Sequence, residues 1–319
     1  MAVAAVANHA LGSGEILPWD AARLAITSPD YDRSDIEEDE DYQLLGTSIS
    51  CISLGSWCGV AQCLQVMNLR DAAYPFDWNR TSIQGLIHFI SNEFEDFFNF
   101  FLVKDAPGLQ QKAYCGKHHS VWHEDLATPA GYAKYHRRIR RFYDIAAERL
   151  LFVRAVNDSE EVENGHVLLQ VLQTCFPSSE VFLLLTIDCQ PETRSFIVGG
   201  RSGHLMAQCN HYTRWLGSPL HCKGVLVHQE GISFALRRAA SSELPMDPSL
   251  TVLDNIQQLQ ALIAPFNGGP PQLQPYTPRP VGMPAPEFPG FPPDAQNCSP
   301  PVPMVDQSGA HGYSEQMAE

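Results

Sequence analysis

Three short apolar runs, two of them separated by a helical stretch, constrain the fold of this chain most strongly. The runs are 150–154, 181–187 and 224–228, and each has the length and composition of a buried strand. Apolar residues between the first two runs recur at helical spacing over residues 167–175. This β-α-β order favours two parallel strands joined by a helical crossover. We therefore predict a mixed α/β (α+β) domain that contains a βαβ unit.

Helices dominate the region before that unit. The run Ile49–Leu54 reads as a buried strand, and a helix with one apolar face follows it at residues 60–67. Thr81 and Ser82 are good N-cap residues, and the apolar stripe that follows has helical period from residue 83 to residue 101. A second helical stripe runs from Tyr132 to Ala146. The sequence thus predicts several helices in the N-terminal half of the domain.

Two elements are predicted after the βαβ unit. Residues 231–236 form an apolar run that we expect to pair as a hairpin with the strand at 224–228. Apolar residues at 252, 256, 259 and 263 then predict a closing helix.

Composition divides the 319 residues into three parts. Residues 1–45 end in an acidic run with eight carboxylates between positions 30 and 41, and we expect this segment to be disordered. Residues 46–264 are the predicted folded domain. Residues 265–319 are a predicted disordered tail, because 14 prolines between 265 and 304 exclude helices and central strands. Within it, residues 275–278 fit the PxxP spacing of an SH3- or WW-type partner.

Charge and hydropathy exclude several classes of protein. The net charge of −15 disfavours nucleic acid as a partner. No apolar stretch approaches the roughly 20 residues of a membrane helix, and the N-terminus has no basic region typical of a signal peptide. Nine cysteines at irregular spacing then indicate reduced thiols. We expect a cytoplasmic protein without a membrane partner.

Cys58 is the strongest candidate for a catalytic residue. It follows a Gly/Ser turn after the first strand and stands where a helix begins. Unpaired N–H groups and the helix dipole favour a thiolate at that position. A cysteine of this kind is suited to nucleophilic attack if a histidine reaches it, although buried cysteines with no chemistry are common.

The candidate base is His123. It lies in a segment, 114–126, that holds three histidines, a tryptophan and two carboxylates, and Asp125 is placed to orient its ring. Asp77 and Asp188 are alternative orienting groups.

A metal reading of the same segment is weaker. Cys115, His118, His119 and His123 are of the types that bind zinc, but no second pair at finger-like spacing accompanies them. The chain also lacks a GxGxxG or Walker-type loop. We therefore expect neither a metal nor a cofactor.

The residues around Cys58 resemble the opening of the papain-like cysteine peptidase family, a domain of otherwise unknown function. The matching blocks are Ile52–Ala61, Leu69-Arg70 and Ala73–Trp78, with looser similarity at His123–Leu126, Arg138–Phe142 and Leu151–Arg154. The similarity covers about residues 49 to 190. It implies a papain-like domain in which Cys58 is the nucleophile and His123 the base.

The chain departs from the family's pattern at two places. Glu124 stands at the family's usual aspartate position, and Asp125 follows it, while Asp77 matches a motif position. Ile52 replaces the glutamine that donates to the oxyanion in papain-type enzymes. The donors would then be backbone N–H groups at residues 57 and 58, with Gln62 or Trp78 nearby.

Two functions from different classes follow. The first is a cysteine hydrolase, meaning a peptidase, isopeptidase or acyl transferase that acts on a protein or a small amide or ester. The second is a non-catalytic α/β binding module, or a sugar-nucleotide transferase, in which Arg154, the cluster 137–141 and Asp188 line a ligand cleft.

Overall fold

A computed structural model describes residues 48–56, 58–106, 111–121, 124–200, 203–211, 228–241 and 250–266. The predicted disordered segments 1–45 and 265–319 lie outside these ranges except for Pro265 and Phe266. So does most of the run predicted as a strand at 224–228. None of the helices in the described ranges is long and apolar enough to cross a bilayer.

Ten strands and six α-helices make up the described fold. The strands are β1 (Ser50–Ser53), β2 (Asn79–Thr81), β3 (Phe100–Ala106), β4 (Gln111–Gly116), β5 (His119–Val121), β6 (Arg149–Ala155), β7 (Glu180–Ile187), β8 (Arg194–Val198), β9 (Leu205–Cys209) and β10 (Thr251–Leu253). The helices are α1 (Gly59–Val66), α2 (Ile83–Ser91), α3 (Pro129–Tyr143), α4 (Gly165–Cys175), α5 (Gln229–Ala240) and α6 (Ile256–Leu262), with a 3-10 helix at Ser159–Asn164. The mixed α/β class predicted from the sequence is confirmed.

The main sheet has the strand order β1-β6-β7-β9-β8-β10. Strands β1, β6, β7 and β9 are parallel, β8 is antiparallel to β9, and β10 is parallel to β8. The predicted βαβ unit is β6-α4-β7, and its strands pair in parallel as expected. The carboxyl ends of four neighbouring strands therefore meet at one edge, where open α/β sheets place their ligands.

The two faces of this sheet carry separate apolar clusters. One face packs α1 and α5 against β1, β6, β7 and β9, with Val60, Leu64, Ile232 and Leu236 at the contact. The opposite face packs α2, α3 and α4, and the small antiparallel sheet β2-β5-β4-β3 joins that cluster. Because the central strands are buried on both sides, they read as nearly continuous apolar runs.

Two local predictions are wrong. The helix predicted over 83–101 ends at Ser91, and positive φ angles at Glu93, Phe94 and Asp96 turn the chain before β3 begins. Phe94 and Phe97 of the stripe are buried all the same, in the turns, whereas Phe98 is half-buried and Phe101, in β3, is exposed. The hairpin predicted at 231–236 is part of α5, whose amphipathic face packs on the sheet.

His119 is an unusual member of the core. It is fully buried, and its ring lies 4.5 Å from that of Phe97 and 4.9 Å from that of Phe89, measured between centroids. Burial lowers the pKa of His119 to about 3, so that the ring is neutral near pH 7.

We expect His119 to make the domain acid-sensitive. In the unfolded chain this ring binds a proton below about pH 6.5, whereas the folded protein resists protonation down to about pH 3. The free energy of unfolding should therefore fall, by up to about 1.4 kcal/mol per pH unit, as the pH drops between these values. Urea denaturation at pH 7, 6 and 5 should show a shallower decline in His119→Leu. The exposed His166→Gln provides the control and should retain the wild-type slope.

Candidate functional site

Cys58 lies at the start of a helix, as the sequence predicts, and at the carboxyl edge of the main sheet. It follows β1 by five residues and is the N-cap residue of α1. Its backbone is already helical, and its side chain makes no capping hydrogen bond to the helix. The side chain is 5% exposed, but it belongs to neither apolar cluster of the described residues, whereas Cys51 and Cys63 do. The thiol thus lies at a boundary between the core and the edge of the sheet.

A left-handed turn delivers the chain from β1 to Cys58. Gly55 has a φ of +64° and Ser56 a φ of +86°, a region that favours glycine. A Cβ atom on Gly55 would lie 2.3 Å from the carbonyl oxygen of Phe76. The turn therefore passes directly against the loop that contains Asp77.

A buried ion pair holds this turn in place. The guanidinium of Arg154, fully buried at the end of β6, donates to the Leu54 carbonyl at 3.1 Å and to the Thr81 carbonyl at 2.6 Å. It also lies 2.9 Å from the carboxylate of Glu161. Arg154 makes these contacts in the protein interior and is not exposed to solvent. It therefore does not line the open ligand cleft that the binding-module hypothesis predicts.

Glu161 completes the network. Its carboxylate accepts hydrogen bonds from the backbone N–H groups of Ile83 and Asn157, each at 2.8 Å, and from the side-chain amide of Asn157 at 2.9 Å. Asn157 in turn accepts from the hydroxyl of Ser56 at 2.9 Å. Burial alone would raise the pKa of Glu161, but the charge of Arg154 and these hydrogen bonds outweigh it and lower the pKa overall.

Asp77 is buried in the loop that faces Gly55. One carboxylate oxygen accepts from Arg70 Nη2 at 2.6 Å and from the N–H of Tyr74 at 2.9 Å. The other oxygen, Oδ1, is buried and has no hydrogen-bond partner within the described ranges. Desolvation raises the pKa of Asp77 although Arg70 opposes it. The structure therefore brings Asp77 close to the turn before Cys58, with its charge paired to Arg70.

The two acids beside His123 are bound by other groups at or near α3. Asp125 is exposed and accepts from the hydroxyl of Tyr114 and from the N–H of Ala127. Glu124 pairs with Lys134 and lies 3.7 Å from Arg138. His123 itself lies outside the described residues, so its pairing with Cys58 stays a prediction. Strand β5 ends two residues before it, at Val121, which pairs with Asn79 beside the Asp77 loop.

His118 and His119, two of the candidate zinc ligands, lie in different environments. His119 points into the phenylalanine core, whereas the ring of His118 lies 5.0 Å from that of His88. Among the described residues, no group of three or more histidine, cysteine or acidic side chains is arranged to hold a metal ion. Sequence reasoning missed the Ser56, Asn157 and Glu161 network, because no local pattern joins residues about a hundred positions apart.

These features define a mixed α/β domain with a thiol at the carboxyl edge of a mostly parallel sheet. Residues 49–187 match the family model described as "Putative papain-like cysteine peptidase". An uncharacterized protein of Acanthamoeba polyphaga mimivirus is 29% identical to this chain in an alignment 177 positions long that covers 46% of this chain and 79% of the viral protein. No solved structure matches. The matched range begins at β1 and ends with β7, so it contains Cys58, Asp77 and the Arg154–Glu161 pair.

Removing the charge of Glu161 should destabilise the domain strongly. Glu161→Gln leaves the Arg154 cation buried without a carboxylate, which typically reduces the free energy of unfolding by about 3–5 kcal/mol. The pKa of Glu161 is lower in the folded protein than in the unfolded chain. The pair therefore stabilises the protein at pH values above the unfolded-state pKa of Glu161, and this stabilisation is lost as the pH falls through its folded-state pKa. Urea denaturation at pH 7 measures the loss. Its exposed neighbour Glu160→Gln should be unchanged, and an equal loss in both variants would contradict the buried pair.

Gly55→Ala should reduce the stability of the domain by more than the strain of a positive φ alone would. A methyl group there meets the Phe76 carbonyl, and the positive φ adds strain of about 1–3 kcal/mol. Gly199→Ala is the matched control, because Gly199 has a φ of +84° but open space around its Cβ position. Chemical denaturation should show a clearly larger loss of stability for Gly55→Ala. Equal losses would show that the close approach is unimportant.

Proposed function

We propose that this chain is a cysteine hydrolase or acyl transferase with Cys58 as its nucleophile. The observation that carries the proposal is the position of Cys58 at the N-cap of α1, on a strained turn anchored by the buried Arg154–Glu161 pair. The family match over residues 49–187 supports it. The substrate class is an amide, thioester or isopeptide carbonyl in a protein or a small molecule.

The position of Cys58 suits a thiolate. The Cys58 side chain makes no capping hydrogen bond to the first N–H groups of α1. These N–H groups, together with the helix dipole, can stabilise negative charge on the sulfur or on an oxyanion. Cys51 and Cys63 are placed differently, because burial raises the pKa of Cys51 to about 12 and raises that of Cys63 further. Both belong to the apolar cluster beneath α1.

The reaction proceeds through a covalent acyl-enzyme. An imidazole, His123 in our sequence prediction, takes the proton from Cys58, and the sulfur forms a bond to the carbonyl carbon. The carbonyl electrons move to oxygen and return as the leaving amine, thiol or alcohol departs, and the imidazolium protonates that leaving group. Water or another acyl acceptor then cleaves the thioester with the imidazole as base.

The oxyanion donors come from the start of α1 in this proposal. Ile52, at the position of the family's glutamine, is fully buried within β1 and offers no side-chain donor. Gln62 lies four residues after Cys58 and one helical turn along, so both side chains project from the same face of α1. Only its Nε2 group could donate to an oxyanion, whereas its side-chain oxygen, an acceptor, is buried without a hydrogen-bond partner among the described residues.

Alkylation by iodoacetamide tests the proposal directly. Cys58 should still be alkylated rapidly at pH 6. By contrast, the alkylation rate of an ordinary thiol with a pKa of about 8.5 is about two hundredfold lower at pH 6 than at pH 9. Mass spectrometry of the peptides separates Cys58 from the other cysteines. Cys63, on the same helix, is the internal control and should react only on unfolding.

Activity and trapping complete this test. Cys58→Ser should abolish turnover of a panel of fluorogenic peptide amides and acyl thioesters, and should prevent covalent capture of an acyl vinyl sulfone. The matched variant Cys63→Ala should retain both. If the Cys58 alkylation profile follows that of a free thiol and Cys58→Ser changes nothing, the chain is not a cysteine hydrolase.

A further inference from the structure

Two helices begin at the same edge of the main sheet and on the same face. Helices α1 and α5 share one apolar cluster, which includes Val60 and Leu64 from the first and Ile232 and Leu236 from the second. Cys58 is the N-cap residue of α1, and His228 is the N-cap residue of α5. Neither side chain caps its own helix. Both helices have at least eight residues, so each contributes a positive dipole end.

Strand register fixes where these N-termini lie. Ala155, Thr186 and Gln208 are paired across β6, β7 and β9 near the carboxyl ends of the strands. The N–H of Ala155 donates to the carbonyl of Gly55 at 3.3 Å, which places the turn before Cys58 at one end of this row. A Cβ atom on Gly231 would lie 2.8 Å from that of Gln208, which places the first turn of α5 at the other end. Since neighbouring strands are about 4.8 Å apart, the two N-termini flank a space about three strands wide.

Polar side chains fill the sheet face between the two N-termini. Thr186 and Gln208 continue the alternation that puts Phe182, Leu184 and Met206 under α1 and α5, so they face the same side. Both are fully buried, yet Thr186 Oγ1 and Gln208 Nε2 find no hydrogen-bond partner among the residues that the structure describes. A buried polar atom without a partner is costly, and a bound ligand, a water molecule or a role in a reaction is among the explanations for one. They point to a ligand-binding space beneath the helix N-termini.

Asp188 and Asn210 close the same edge. Each is 1% exposed, Asp188 follows β7 and Asn210 follows β9. The side-chain amide of Asn210 donates to Asp188 Oδ1 at 3.0 Å, and its backbone N–H donates to the Ile187 carbonyl at 2.8 Å. The parallel register thus extends by one residue, and it puts Asp188 next to Thr186 on the side of α5 and His228.

We infer that His228 is the imidazole that serves Cys58 and that Asp188 orients its ring in the substrate complex, which makes residues 58, 188 and 228 a catalytic triad along the carboxyl edge. The inference deepens the proposed function and rests on it, since it assumes that Cys58 is the nucleophile. His228 is fully buried and lies outside the range matched by the family model. Asp77 and Asp125, the acids proposed from sequence, are engaged by Arg70 and by the start of α3.

The proton transfers are those of the proposed reaction with His228 in place of His123. The His228 ring takes the thiol proton of Cys58 as the carbon–sulfur bond forms, and it returns that proton to the leaving amine, thiol or alcohol as the bond to that group breaks. In the second half-reaction it takes a proton from water, whose oxygen displaces the sulfur, and the thiol is regenerated. Asp188 stays ionised and stabilises the imidazolium. Gln208 and Thr186 are available to the acyl group of the substrate.

Variants of single histidines test the inference in the full-length chain. His228→Asn and His228→Gln should lower the rate of acyl-thioester hydrolysis by at least about a hundredfold and should remove the rapid alkylation of Cys58 at pH 6. Asp188→Asn should give a smaller loss in the same direction, mainly in kcat. The matched control is His211→Asn, an exposed histidine at the same edge whose Nδ1 lies 3.1 Å from the Gln190 carbonyl oxygen. It should behave as wild type, and circular dichroism should confirm that every variant is folded.

Each result is decisive. If His123→Asn removes the low-pH reactivity and His228→Asn does not, Cys58 is still the nucleophile and only the present inference is overturned. If neither variant has an effect while Cys58→Ser abolishes turnover, the inference also fails and the proposed function stands. If wild-type Cys58 behaves as an ordinary thiol and Cys58→Ser is fully active, the proposed function fails as well.

A measurement on the wild-type fold covers the case in which the His228 variants do not fold. Hydrogen–deuterium exchange at the imidazole C2 position, read by peptide mass spectrometry, follows the titration of each histidine separately. Other titratable groups at this edge in the described part of the chain include Cys189 after β7, Cys209 at the end of β9, His211, and Glu230 on the first turn of α5. Cys58→Ala should lower the titration midpoint of His228, because a thiolate no longer stabilises the imidazolium, and leave that of His211 unchanged. An unchanged His228 midpoint would overturn the inference.

Discussion

The buried ion pair between Arg154 and Glu161 is the interaction on which the candidate site depends. It joins β6, the end of β1, the end of β2 and the start of α2, and every one of these contacts is a hydrogen bond to a backbone group or to a charged oxygen. A buried pair of this kind adds little net stability, since the desolvation of both charges offsets their attraction. Its effect is geometric, because it fixes the turn that presents Cys58.

The carboxyl edge of the main sheet differs from the rest of the core. Along β7 and β9 the side facing α1 and α5 is apolar until the last residues, and there Thr186 and Gln208 replace aliphatic side chains. Asp188 and Asn210 follow at once. A protein selected only for stability would not bury unpartnered polar atoms beneath two helix N-termini. Local departures of this kind are expected at functional sites, where the requirements of chemistry oppose those of packing.

Much of the fold was predictable from sequence because its strands and helices are strongly patterned. The βαβ unit, β1, α3, α6 and the position of Cys58 at the head of α1 follow from apolar periodicity and turn residues. The stripe from residue 83 to residue 101 predicts too long a helix, because Phe94 and Phe97 stand at helical spacing but are buried in turns after α2 has ended. The hairpin predicted at 231–236 is wrong for a related reason. A short apolar run fits a strand and one face of a helix equally well.

The amino-acid sequence by itself determined the class of fold, the place of the thiol and the family likeness of residues 49–187, because these depend on patterns within a few residues of one another. Only the tertiary structure decided which distant groups meet. It put Arg154 in the interior with Glu161, paired Asp77 with Arg70, and brought the N-terminus of α5 to the edge where α1 begins. Strand order and register decide these meetings, and both arise from contacts between residues far apart in the chain.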